Sequence, residues 1–220
     1  KHETIYYPNK IKQIVGRLNA QNLSETEECE AVETMTELIE YYKGIFTILS
    51  SCVSRQLEEV TFRRTVIPVQ ELLDAAGKYF KKLMKNRPER IELEIEPMEA
   101  KVIGDVNQLR FLLENLIDEA LTVREDGVIR LQARKDNEYV RFLFTDTRRE
   151  KSVEELNQLF YPNLARMTSG EKGELRGTEY LVCKQIIRDH DEFAGRRGCR
   201  INAEPAEGGG FTVYFTIPRR

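Results

Sequence analysis

The sequence predicts an α+β chain in two parts: a long helical hairpin over residues 1–64, then a domain of helices packed on one face of a mixed sheet over 65–220. Three observations predict it. Apolar residues recur at alternating three- and four-residue steps through the first sixty positions, the spacing of a helical seam. Ile91, Leu93 and Ile95 then alternate with Glu92, Glu94 and Glu96, the period of a half-buried strand. From there to the C-terminus, helical and strand periods interleave.

The elements follow in chain order. Ile11, Ile14, Val15 and Leu18 share a helical spacing that stops near Asn19 to Asn22. Ser24-Glu25-Thr26-Glu27 is a capping box, whose hydroxyl and carboxylate satisfy the free backbone donors of a new helix. The second helix carries Met35, Leu38/Ile39, Tyr42, Ile45/Phe46, Leu49, Cys52/Val53 and Val60, a heptad seam of more than three repeats. So narrow a seam wants a partner, and a homodimer through a four-helix bundle is expected. A turn between Gln21 and Ser24 sets residue 2 opposite residue 43, so the second helix runs on to about Arg64 beyond the first one's reach.

Pro68 stands where a further helix starts, at a position whose missing N–H costs nothing. That helix buries Leu72, Leu73, Ala76, Phe80 and Leu83 and ends before Pro88. Leu109, Leu112, Leu113, Leu116, Ile117, Ala120 and Leu121 mark the next helix. Val128–Ala133, Tyr139–Phe144 and Phe211–Ile217 read as strands, the first two joined by a turn at Asp136-Asn137. Between Thr147 and Thr178 the pattern weakens into a basic, glycine-bearing stretch, the mark of a lid or binding loop. Leu181, Val182, Gln185, Ile186 and Ile187 restore a helix that ends at His190, whose cation is expected to meet the last carbonyls.

Composition narrows the function. The 220 residues carry 34 Lys and Arg against 37 Asp and Glu, a net charge of −3, which argues against a dedicated nucleic-acid surface. The longest uncharged stretch, Gly44 to Ser54, falls far short of the roughly 20 residues that span a bilayer. Cys29, Cys52, Cys183 and Cys199 form no C-x-x-C pair and are expected as small buried hydrophobes in a reducing compartment. The chain opens on Lys with no leader following, and is expected to be the cytoplasmic portion of a longer protein, compatible with a membrane anchor upstream.

Several motifs occur in an order that resembles the sensor histidine kinase core. Gly104-Asp105 and Asn115-Leu116-Ile117-Asp118-Glu119-Ala120 resemble the N-box. Phe144-Thr145-Asp146 resembles the strand end bearing the adenine-binding Asp, and Leu159-Phe160-Tyr161-Pro162 the F-box. Gly177 and the helix after it resemble the second glycine box, Gly208 to Pro218 the terminal strand, and His2-Glu3 with Pro8 the phosphoacceptor box. The resemblance implies an α/β sandwich of the histidine-kinase, gyrase and Hsp90 ATPase type, with ATP and Mg²⁺ as cofactors and a response regulator receiver domain as partner. It assigns His2 as phosphoacceptor and Glu3 as the group fixing its tautomer, so that Nε2 is the nucleophile. Asn115, Glu119, Asp146 and Gly177 fall at nucleotide-binding positions, with Glu119 at the metal position.

The chain departs from that pattern at defined points. Glu119 stands where the family places a second Asn, and Thr122 where it places a basic residue. The first glycine box reads Asp146-Thr147-Arg148-Arg149-Glu150, with Arg148 and Glu150 in the glycine positions and expected to intrude on the site. Glu179 replaces a further glycine, and Asp191 to Arg200 replace a short turn. Arg148, Arg149, Arg166, Lys172 and Arg176 make the lid basic, either as substitute phosphate contacts or as solvated charge. Two functions therefore stand open: a histidine kinase, or a pseudokinase acting as a dimeric interaction module. A serine kinase or chaperone-like ATPase on the same fold is disfavoured by the His-Glu hairpin.

Overall fold

The computed structural model describes residues 13–16, 29–36, 62–161, 168–169, 175–176 and 179–220, with backbone alone at 168–169 and 175–176. It divides into two units, Lys1–Glu58 and Glu59–Arg220. In the first, residues 13–16 and 29–36 are helical, with Ile14 buried and Cys29 exposed. Most of the heptad seam, the Ser24 capping box and the His2-Glu3 pair lie outside the described residues.

The second unit is built on a five-stranded sheet in the order β2-β4-β5-β9-β8. Its strands are β2 (Ile91–Ile95), β4 (Gly127–Lys135), β5 (Tyr139–Asp146), β9 (Phe211–Pro218) and β8 (Ile201–Pro205). β2 runs parallel to β4, and every other pairing is antiparallel. A smaller antiparallel ladder joins β1 (Thr65–Pro68) to β3 (Lys101–Gly104). Strict alternation makes one face of the sheet the core. Ile129, Leu131 and Ala133 on β4, Val140, Phe142 and Phe144 on β5, and Val213, Phe215 and Ile217 on β9 are all buried. Phe142 and Phe215, opposite one another in register, stack with centroids 4.8 Å apart. The outer face carries the intervening charges as pairs, Arg130 to Glu94 and Arg134 to Glu96, each at 2.8 Å.

Three helices cover the inner face. α1 (Val69–Met84) buries Val69, Leu72, Leu73, Ala76 and Phe80, the stripe its spacing predicts. α2 (Val106–Ala120) packs between α1 and α4 (Glu179–Phe193). Asp105 caps α2: its Oδ1 accepts from the backbone N–H groups of Asn107 and Gln108 at 2.9 and 3.1 Å. Inside the weakly patterned stretch lies a short helix, α3 (Val153–Asn157), closed at its start by a Ser152–Glu155 capping box, with the two-residue strands β6 (Thr168–Ser169) and β7 (Leu175–Arg176) beyond it.

His190 corrects the expectation of a cation at the end of α4. It is fully buried, and burial pushes its pKa down, favouring the neutral ring. Its Nε2 accepts the Asp105 backbone N–H at 3.1 Å, and its Nδ1 donates to the Ile186 carbonyl at 2.8 Å. Phe62 meets the ring edge-on at 4.9 Å, and the Arg63 N–H donates to Asp105 Oδ2 at 2.8 Å, so this corner anchors the segment leading into β1. Cys183 and Cys199 are buried as expected, whereas Cys29 is not.

Candidate functional site at the end of the central strand

The alternation that buries Phe142 and Phe144 carries one step further and buries a carboxylate. Asp146 is the last residue of β5, paired in register with Ile129 on one side and Phe211 on the other. Its side chain is 1% exposed. A carboxylate there needs partners for about four lone-pair sites. It has four. Oδ1 accepts the backbone N–H of Arg148 at 3.1 Å and its Nε–H at 2.8 Å. Oδ2 accepts Nη2–H of Arg148 at 2.9 Å and Nε–H of Arg149 at 3.1 Å.

Arg148 turns inward because the Asp146 carboxylate captures its backbone two residues on, forming a tight Asx-type turn. Its side chain is 1% exposed. A guanidinium has five N–H donors, and here five bonds use them. Two go to Asp146, and the others reach the carbonyls of Ala120 at 2.6 Å, Glu125 at 3.3 Å and Val123 at 3.5 Å. The loop after α2 is thereby tied to the end of β5. Gly127 makes room for the stem: its φ is +144°, and a Cβ there would lie 2.7 Å from Arg148 Cγ. The backbone behind the site is close as well, since a Cβ on Gly210 would run into the Asp146 carbonyl oxygen.

Arg149 extends the cluster towards α2. Its Nη1 lies 3.5 Å from Glu119 Oε1, its guanidinium sits 5.5 Å above the Phe211 ring, and its Nη2 is buried without a partner. Burial raises the Glu119 pKa, opposed by Arg149 and reinforced by the charge of Glu179. Asn115 is buried one turn earlier on α2, and its amide donates to the Phe111 carbonyl at 2.7 Å. Tyr180 and Phe160 close the floor in an edge-to-face contact at 5.7 Å.

The structure therefore brings Asp146 and Glu119 together through Arg149 and holds Asn115 within its own helix. His2, Glu3 and Gly177 lie outside the described residues, as do Arg166, Lys172 and the side chain of Arg176. Glu150, expected to intrude beside Arg148, is exposed instead. Neither Arg148 nor Arg149 is solvated lid charge, since both turn into the domain. Gly127 and the three carbonyls around Arg148 escaped the sequence reading, because their role depends on tertiary closure. The signal present was Arg in a glycine position two residues after a buried Asp.

These side chains can be tested against an adenine nucleotide with Mg²⁺. Every lone-pair site of Asp146 is filled from within the chain, and the Arg148 guanidinium lies against it, so an exocyclic amine has no acceptor left. Among the described residues no group of three or more His, Cys, Asp or Glu side chains converges as a cation site, and the Glu119 carboxylate faces an arginine. Among the described residues, this arrangement at Asp146 does not fit an adenine base.

The fold and the position of the buried Asp at the sheet's end define a class, the histidine-kinase-like ATPase domain. Residues 104–220 match the family described as histidine kinase-, DNA gyrase B- and HSP90-like ATPase, and the chain belongs to it. Among solved structures it is similar to the mycobacterial sensor histidine kinase MprB, with 18% identity over 72% of this chain and 99% of that one, at a TM-score of 0.55. It is similar to the Acinetobacter baumannii histidine kinase AdeS at 14% identity, covering 99% of this chain and 98% of that one, TM-score 0.54. A third likeness is to histidine kinase ThkA in complex with the response regulator TrrA, with 19% identity over all of this chain and 59% of that one, TM-score 0.59. At such identities the likeness is one of fold. No curated protein sequence matches the chain.

Proposed function

We propose that the chain is the signalling core of a sensor histidine kinase-like protein whose phosphoryl-transfer site is eroded, so that it works as a dimeric interaction module, a pseudokinase. One observation carries the reading. Arg149 spans from Asp146 at 3.1 Å to Glu119 at 3.5 Å, the carboxylates that stand at the family's adenine and metal positions. Together with Arg148, the two carboxylates and two guanidiniums in contact balance their charge without a ligand. Phosphoryl transfer depends almost wholly on positioning and electrostatics, and a misplacement of about 1 Å costs some hundredfold in rate.

Family membership supports a place in signal transduction, with a receiver domain as the partner and the helical hairpin as the dimer contact. A cytoplasmic location is consistent with this, and no described helix is long and apolar enough to cross a membrane. The test is transfer of acid-labile label from γ-labelled ATP to His2, with His2→Ala as control. The expected result is no label above control. Robust label that vanishes in His2→Ala overturns the reading and makes the chain a working kinase.

A further inference from the structure

We propose that the Arg148 side chain is a tethered occupant of the base seat, and that this one side chain, rather than the loss of glycines around it, keeps the site closed to adenine nucleotides. The inference deepens the pseudokinase reading and rests on its assignment of Asp146 as the base-recognising carboxylate. The argument starts from complementarity. The walls of the seat are acceptors: the Asp146 carboxylate and the carbonyls of Ala120, Val123 and Glu125. The group that fills it is planar, rich in N–H donors and fully used, five donors for five bonds.

The rest of the site is shaped to this occupant. Gly127 holds a φ of +144° and leaves free the place its Cβ would take 2.7 Å from Arg148 Cγ. Arg149 completes the carboxylate without needing the seat itself, since its Nε approaches from the Glu119 side. Removing the Arg148 side chain therefore leaves Asp146 with Arg149 as counter-charge and frees lone pairs on its carboxylate. Glu150, in the other glycine position, is exposed. A ligand that needs an open seat binds with its intrinsic affinity multiplied by the fraction of time the seat is open. For a pair with both side chains 1% exposed and every donor used, that fraction is small.

The experiment compares the whole chain with its Arg148→Gly and Arg148→Ala variants, titrating ADP and ATP by calorimetry without Mg²⁺. Both variants are expected to bind at least about tenfold more tightly than the parent chain, with adenine preferred over guanine. Methylguanidinium at millimolar concentration is expected to raise the melting temperature of the variants, leave that of the parent unmoved, and compete with the nucleotide. Variants that bind no better than the parent overturn the lock, whether the parent itself binds or not. If the parent binds weakly and the variants tightly, the lock stands, and the pseudokinase reading is decided separately by label on His2. Should both variants fold too poorly to titrate, the melting experiment decides, and no rise with methylguanidinium overturns the proposal.

Discussion

Asp146 and Arg148 form an ion pair whose members are each 1% exposed, and such pairs are asymmetric in what their loss costs. Taking away Asp146 alone strands two guanidiniums at the end of β5, one with no route to water. Asp146→Ala is expected to destabilise the second unit by about 3–5 kcal/mol. The double variant Asp146→Leu with Arg148→Met removes both charges and is expected to cost less than the single. A urea-denaturation double-mutant cycle checks this; additive effects of the two changes would mean that the pair is not the coupled unit its geometry describes. The sequence offered Arg148 both as a side chain intruding from a glycine position and as lid charge or a phosphate contact, but the partners that hold it were not legible. The deciding facts, the carbonyls of Ala120 at the end of α2 and of Val123 and Glu125 after it, and the space over Gly127, exist only once β4, β5 and α2 have come together.

Among the elements, what repeats with a period was legible and what is set by a single contact was not. The stripes of α1 and α2 and the alternation of β2, β4, β5 and β9 appear where spacing puts them, because burial on one face enforces the period. β1, β3 and β8 are too short or too mixed to show one, and β1 and β3 also pair across more than thirty residues of sequence. α3 was visible in principle, since Ser152 and Glu155 spell its capping box. The end of α4 shows the same limit, since His190 has the residue type and position of a C-terminal cation but lies buried against Phe62 and the start of α2. Its pKa is held below the ordinary histidine value of about 6.5, with burial as the main cause, partly offset by its bond to the Ile186 carbonyl and by the charge of Asp105. For a depressed pKa the unfolded chain takes up a proton first, so this stabilisation is whole above about pH 6.5 and is lost as pH falls through the folded value. Melting from pH 7 to pH 5 should therefore fall more steeply for the parent than for His190→Gln, although the variant is the less stable at pH 7. Parallel slopes would remove His190 as the titrating group.

Across the whole molecule, the two units differ in how they are held. The continuous core of the second runs from Ile67 to Ile217 and draws on α1, α2, α4 and the inner face of the sheet. The seam of the first unit is a different case. The proposed dimer rests on the heptad spacing of its sequence, a stripe too narrow to close a core within one chain. A symmetric contact through that stripe would give a closed pair rather than an open chain of subunits. Such a division also suits a protein whose nucleotide seat is held by its own arginine, because a signal can then pass by association and shape without turnover. Light scattering of the whole chain is expected to give a dimer, and residues 59–220 alone a folded monomer whose urea midpoint does not change with protein concentration. Any concentration dependence of that midpoint in the isolated second unit would place a dimer contact on the sandwich. A whole chain monomeric at every concentration would instead leave the heptad seam without its partner, and the interaction-module reading without its dimer.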